Sequence, residues 1–347
     1  MDIPYISFIG FARNDDYVPN RAERHNFSLN FLLQQLKDFQ IPSEIILVEW
    51  NYPEDRPPLA ETIKIEIETS WTTIRVIRVP AKYHQRYKHW QLKPFHVGAA
   101  ANVGIRRAKG QFILPMASDV FLTDACLEKI AKQNLDVNSF YRCDRYDIDA
   151  TALENFNGNR NDFFARCVAN IKVHHTYIHQ EPSFRIAELH TNGAGDFYLL
   201  SRHLLSQIRG SKEGGDVGSF DIDSLIPHAL NGLGARQVLL SDEYRVYKLF
   251  HSKSTSRAVE QIWKGWQKNL ERVVHGLTKS NKAVNDVRIL FNFPKRRYSY
   301  APQATFDSFE KNFVKPARKW AKKLSPFYLN DENWGLAGEE LEETKVL

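Results

Sequence analysis

What most limits the fold of this chain is the order of apolar segments in its first 116 residues, which switch between two periodicities. Tyr5 to Ala12 is a short apolar run that ends in the polar cluster Arg13, Asn14, Asp15 and Asp16, as a buried strand emptying into a loop does. Phe27, Phe31, Leu32, Leu36 and Phe39 then recur at helical spacing, and Pro42 closes that segment before the run Glu44 to Trp50. Thr73 to Val79 supplies a third strand, Pro94 to Ala108 an alanine-rich helix, and Gln111 to Met116 a fourth strand. Strands alternating with helices predict an α/β fold with a largely parallel sheet and right-handed crossovers. Ligands of such sheets bind outside the carboxyl ends of the strands, so chemistry is expected just after Ala12, Val48 and Met116.

Composition narrows the function classes. With 347 residues, 43% of them hydrophobic, the chain can bury one large core or two modest ones. The net charge of +6 is a mild cationic excess rather than the dense basic stripe of a nucleic-acid binder, so anionic small ligands or anionic lipid fit better than nucleic acid. Three widely spaced cysteines, Cys126, Cys143 and Cys167, form neither a disulfide framework nor a zinc site and imply a reducing compartment. No basic-then-apolar leader opens the sequence, and no window approaches the roughly 18 apolar residues of a spanning helix. The expected location is cytoplasmic, either soluble or peripheral on the inner face of the membrane.

Three strand ends carry charge together: Arg13-Asn14-Asp15, Glu49-Trp50-Asn51 and Ala117-Ser118-Asp119. Loop ends are polar in any protein, but three coincident edges suit a nucleotide. Acids accept from base N–H groups or ribose hydroxyls, a cation opposes the pyrophosphate, and Asp119 faces the phosphates through a metal.

The stretch Asn102-Val-Gly104-Ile-Arg106-Arg107-Ala-Lys-Gly110, followed by a hydrophobic strand and Asp119, resembles the run leading into the metal-binding aspartate of inverting family-2-like glycosyltransferases of the GT-A fold, bacterial polysaccharide enzymes among them. Asn102 and Arg106 sit one helical turn apart and are expected to face the nucleotide cleft. Gly110 is expected to end the helix in a left-handed conformation. The resemblance extends to the Arg13-Asn14-Asp15 loop and to Glu49, where such enzymes hold uracil and ribose. It implies a nucleotide diphosphate sugar donor, uridine-linked, and a divalent cation, Mn²⁺ or Mg²⁺. The usual pair of metal acids is reduced here to Asp119, because Ala117 stands at the first position; the donor's diphosphate and water supply much of such a shell.

The second half, from about residue 126, carries His190-Thr-Asn-Gly193-Ala-Gly195-Asp196, which resembles the segment facing donor sugar and acceptor in the same enzymes. Gly193 and Gly195 permit close backbone approach and Asp196 suits sugar hydroxyls, although two nearby glycines fit a bulge or tight turn as well. The segment Phe220-Asp221-Ile-Asp223 resembles the family's acid-pair segment, with Phe220 where glutamate is usual, and the resemblance implies Asp221 as general base and Asp223 as fallback or substrate contact. Asp221 also suits the N-cap of a helix running to Leu230. A late histidine, His251, follows a strand and is the candidate second metal ligand; a polar loop residue is the plain alternative. His174, His175 and His179 lack the Glu of a zinc helix motif.

From about residue 256 the pattern turns helical, giving three expected regions, 1–125, 126–255 and 256–347. Phe309, Phe313, Ala317, Trp320, Ala321 and Leu324 make one stripe beside Lys311, Lys315, Arg318, Lys319, Lys322 and Lys323, with Pro316 as an expected break. That helix suits either an anionic membrane surface or packing on the rest of the chain. The whole predicts a sugar transfer to a hydroxyl of a glycan or lipid-linked glycan. Two rivals stand beside it, a nucleotidyltransferase and a noncatalytic sugar-nucleotide or glycan-binding module.

Overall fold

The computed structural model describes residues 3–15, 20–88, 90–92, 94–154, 156–175, 189–191, 193–213, 225–250, 311 and 315–347. Three parallel strands, β1 (Ile6–Ala12), β2 (Ser43–Trp50) and β3 (Thr72–Val79), lie side by side, and β4 (Phe112–Pro115) adds to the other side of β1, also parallel. All eight residues of β2 are buried, which is why its sequence is a nearly continuous apolar run. Helices cover both faces. One face of the sheet, through Phe8, Ile45 and Leu47, packs on α1 (Arg21–Asp38). The other, through Ile9, Ile46 and Val48, packs on the alanines of α4 (Val97–Arg107), which follows the short helices α2 (Leu59–Thr62) and α3 (Ala81–His84). The fold is thus the expected α/β architecture, a mixed sheet with a parallel centre between helical layers.

Later strands extend this sheet in both directions. Beyond β5 (Val120–Leu122) and α5 (Asp124–Ala131) come β6 (Ser139–Arg142) and β7 (Asp144–Ile148), then α6 (Arg160–Ala169) and β8 (Ile171–His175). The chain continues through β9 (Leu199–Ser201), α7 (Arg202–Ile208), α8 (Leu225–Gly232), β10 (Arg236–Leu239) and β11 (Arg245–Leu249). After α9 (Lys315–Lys322), β12 (Glu342–Lys345) returns to the first sheet. The order in that sheet is β10-β6-β9-β4-β1-β2-β3-β12, and a second sheet runs β5-β11-β7-β8. Strands from all three expected regions therefore share one sheet, and residue 126 falls inside α5.

Several local expectations change. α1 begins at Arg21, six residues before Phe27, because its first turns carry polar side chains that the apolar pattern did not mark. The C-terminal region contributes a strand as well as a helix: β12 pairs antiparallel with β3, Arg75 bonds Glu343 at 2.7 Å and Arg78 bonds Glu342 at 3.1 Å. Pro316 lies within the described stretch of α9, Lys315–Lys322, and the helix continues past it. Gly110 is not left-handed; α4 ends at Arg107 with Ala108 extended. What demands a glycine there is space, since a Cβ would lie 2.6 Å from Ser7 N and 2.7 Å from the Ile6 carbonyl carbon.

Gly104 makes a similar close approach, its missing Cβ falling 2.4 Å from Ile9 Cγ2, but its obstacle is a side chain and alanine gains helix propensity of about 1 kcal/mol. Gly110→Ala meets backbone and gains nothing in return. Urea denaturation is expected to show both variants destabilised, by about 1–3 kcal/mol for Gly104→Ala and by more for Gly110→Ala.

Candidate functional site

Because β4, β1 and β2 are parallel neighbours, the loops after them emerge on one edge of the sheet, as the sequence required. These loops are tied to each other. Arg13 Nε donates to Asn51 O at 2.6 Å and Asn14 Nδ2 to Pro57 O at 2.9 Å. Asp15 accepts from Arg13 at 2.8 Å and from Arg21 at 2.6 Å, so one carboxylate joins the first loop to the start of α1. Ser28 Oγ donates to Ser118 O, which fixes the Asp119 loop against the same helix.

Between these ties lies a small open pocket lined by Ala12, Arg13, Asn14, Arg21, Ala22, His25, Asn26, Leu59 and Thr62. Its polar wall is mostly engaged: Asn26 Nδ2 donates to Thr62 O at 3.1 Å, and Asn26 Oδ1 accepts from Lys64 N at 3.0 Å. His25 is the exception. It is 6% exposed and neither ring nitrogen has a hydrogen-bond partner in the protein. Burial lowers its pKa to about 4, helped by the charge of Arg21 and opposed by Asp119, so the ring is neutral at pH 7 and offers one donor and one acceptor. A buried polar group left unpaired costs about 1–3 kcal/mol, and a ligand that pairs with it recovers that cost. Sequence reading missed His25 because the helix was started at Phe27; the signal was the Arg21–His25 spacing, which puts both on one helical face.

Asp119 is also buried, at 9% exposure, and its charge acts on His25 and on Lys248. Its backbone carbonyl accepts from Leu249 N at 3.2 Å, so the end of β11 reaches the Asp119 loop. His251, two residues beyond Leu249, lies outside the described residues, as do Asp221 and Asp223. Among the described residues no group of three or more His, Cys, Asp or Glu side chains is disposed to hold a metal ion. Of the two expected metal ligands, Asp119 is the one that falls among the described residues.

Other expected site residues are committed elsewhere. Glu49 is 1% exposed, and its two oxygens accept from Leu59 N at 3.1 Å and Arg78 Nε at 3.0 Å. Burial raises its pKa, while those two bonds oppose the rise. It touches the cleft through Leu59 rather than through its own carboxylate. Asn102 and Arg106 do not line this pocket, because the side of α4 that carries Gly104 packs on the sheet. Asn102 Nδ2 donates to Ser211 O at 2.7 Å and to Glu213 Oε1 at 2.9 Å, and its Oδ1 accepts from Ser211 N at 2.7 Å. Arg106 lies 4.8 Å over the Trp334 ring.

Asp196 is 4% exposed and is the hub of a charge network on the second sheet. Lys248 Nζ donates to it at 2.8 Å, and Arg145 donates to its other oxygen. Arg145 also meets Asp147 at 2.9 Å, and Asp147 meets His175 at 3.1 Å. Each Asp196 oxygen thus carries a cation, and the carboxylate is the shared anion of this network. Gly193 has φ 62°, and a Cβ on it would lie 3.3 Å from His175 Cβ, so its backbone closes on β8. Gly195 is half-buried in the short turn Ala194–Asp196. Nearby, Asp144 takes His190 at 3.0 Å and His174 at 3.1 Å, and His174 stacks on Tyr146 at 3.9 Å. His174 and His175 thus serve carboxylates, and His179 lies outside the described residues.

No family model matches the chain and no curated protein does. Among solved structures, the chain is similar to S. aureus TarS residues 1–349, with 14% identity over 92% of this chain and 81% of that one at a TM-score of 0.44. The same protein in complex with UDP-GlcNAc gives 15% identity, 91% and 79% coverage and a TM-score of 0.42. Its complex with UDP gives 14%, 92%, 81% and 0.41.

Burial works to raise the Asp196 pKa, but the charges of Lys248 and Arg145 prevail and hold it at about 2. A depressed folded-state pKa stabilises above the unfolded value, so this contribution, roughly 2–3 kcal/mol, is complete above about pH 4 and is lost as pH falls toward about 2. Urea denaturation across that window is expected to show the loss in the native protein. Asp196→Asn should remove it and cost about 3–5 kcal/mol at pH 7, because two cations stay behind without their shared anion.

Proposed function

We propose that this chain is a GT-A type glycosyltransferase that moves a sugar from a nucleotide diphosphate sugar, uridine-linked, to a hydroxyl of a glycan or lipid-linked glycan, with inversion. The observation that carries this reading is the pocket at the carboxyl edge of the sheet, where Arg13, Asn14, Arg21 and the unpaired His25 converge and the charge of Asp119 acts on His25. Its position is where open α/β sheets bind nucleotides. The residue run from Asn102 to Asp119 adds the family resemblance.

In this reading the cleft takes the nucleoside, with the neutral His25 ring pairing to a hydroxyl or ring edge of the ligand. Arg13 and Arg21 stay oriented by Asp15 and oppose the diphosphate. Asp119, with His251, would hold a divalent cation, Mn²⁺ or Mg²⁺, whose chemistry is to neutralise charge on the departing diphosphate. Asp221 accepts the proton of the attacking hydroxyl as that oxygen bonds to the anomeric carbon opposite the leaving group, with Asp223 as fallback. Gly193 and Gly195 line the side where sugar and acceptor meet. Asn102 acts at a distance, since its three bonds to Ser211 and Glu213 hold the start of the segment that leads to Asp221.

Thermal unfolding with nucleoside diphosphates, each with and without Mn²⁺, tests the donor assignment. Uridine diphosphate at about a hundred times its Kd should stabilise the fold by about 2.7 kcal/mol. His25→Ala should weaken that binding about tenfold, by analogy with a lost buried hydrogen bond, and Asp119→Ala should remove the dependence on Mn²⁺. Asp221→Asn should lower transfer by about 10²–10⁴-fold while leaving uridine diphosphate affinity unchanged. Absence of stabilisation by any nucleoside diphosphate would end this reading. Tight binding without hydrolysis or transfer would instead make the chain a noncatalytic module.

A further inference from the structure

The surface of α9 and the turn after it is used by no part of the donor site. The apolar side of this helix is consumed by the fold: Ala317 and Ala321 are buried, and Asn231 of α8 donates to Ala321 O at 2.9 Å. Trp320 packs on Phe327 in a tilted arrangement, with ring centroids 4.5 Å apart. What remains outward is charge. Lys311, Lys315, Lys319, Lys322 and Lys323 are exposed, and no Asp or Glu occurs between residues 311 and 330.

Two large apolar side chains stand out in the turn that follows. Leu324 takes a left-handed φ of 49° and leaves its side chain 64% exposed. Tyr328 is 55% exposed, with the Arg209 guanidinium 4.6 Å over its ring. The basic stretch ends at Asp331 and Glu332, the latter paired with Arg209 at 3.4 Å. A leucine held in water beside a cluster of lysines loses apolar exposure only if something covers it, and the covering surface must be anionic to suit the lysines.

We propose that this face docks the protein on an anionic lipid bilayer, with the lysines at the headgroups, Tyr328 at their level and Leu324 at the acyl boundary. Lysine stems reach along the interface while their ammonium groups stay among phosphates, and a tyrosine ring suits that depth. Phosphates of a nucleic acid would match the lysines equally but would leave Leu324 without a partner, which favours lipid. The proposal is independent of the donor assignment, although a lipid-linked acceptor would be met at the same surface.

Co-sedimentation of the full chain with vesicles tests it. The protein should pellet with phosphatidylcholine vesicles containing about a third phosphatidylglycerol and stay in solution with phosphatidylcholine alone. Taking each surface cation to contribute about fivefold, the combined Lys319→Glu, Lys322→Glu and Lys323→Glu variant should bind on the order of a hundredfold more weakly. Leu324→Ser should weaken binding by about tenfold without altering charge. All these side chains are exposed, so unchanged melting temperatures are expected and are checked alongside. Failure of the folded protein to bind the anionic vesicles would overturn the proposal. So would equal binding to neutral vesicles, or lipid binding insensitive to Leu324→Ser and matched by single-stranded RNA, which would mark a nucleic-acid surface.

Discussion

Two carboxylates on one fully buried strand govern how the rest of the sheet is arranged. Glu44 near the start of β2 and Glu49 near its end are 3% and 1% exposed, in a place where an unpaired charge costs several kcal/mol. Glu44 therefore takes Ser7 Oγ at 2.6 Å, Lys109 N at 2.5 Å and Arg75 at 3.4 Å, and so binds β1, the approach to β4 and β3 together. Glu49 takes Leu59 N and Arg78, binding the loop after β2 to β3. The two arginines pass the charge outward to Glu343 and Glu342, so that two rows of alternating sign cross β2, β3 and β12. Burial at the centre thus dictates which residues stand at the edge.

The same rule explains what the candidate site keeps for itself. Acids at the rim that find cations become framework: Asp15 between Arg13 and Arg21, and Asp196 between Lys248 and Arg145. His25 is left over, neutral and unpaired, in a cleft whose other polar groups already have partners. A group in that condition raises the energy of the ligand-free protein and is stabilised by a ligand that satisfies it.

Much of the fold was legible in the sequence because burial on both faces writes itself as apolar runs. Tyr5 to Ala12 and Glu44 to Trp50 differ from β1 and β2 by one residue each. The edge carrying Arg13, Asn14, Asp15, Glu49 and Asp119 followed from strand order alone. Side-chain commitments did not follow. Asp196 meets its cations across 51 and 52 residues of chain, and nothing in Gly193-Ala-Gly195-Asp196 announces Arg145 or Lys248. The face of α4 that holds Asn102 and Arg106 is set by what packs on it, including Trp334, which lies far along the sequence. Glu342 to Lys345 reads as a polar tail and becomes a strand because Arg75 and Arg78 await it on β3.

The pairing of β12 with β3 also has a meaning in time. Arg75 and Glu343 are 268 residues apart, so during synthesis β3 emerges long before the segment that will cover it. Until then the nascent sheet presents a bare hydrogen-bonding rim whose two arginines are paired only inward, to Glu44 and Glu49. The late arrival of Glu342 and Glu343 covers that rim and gives each arginine a second carboxylate on its outer side, closing an edge that would otherwise stay open to strand addition.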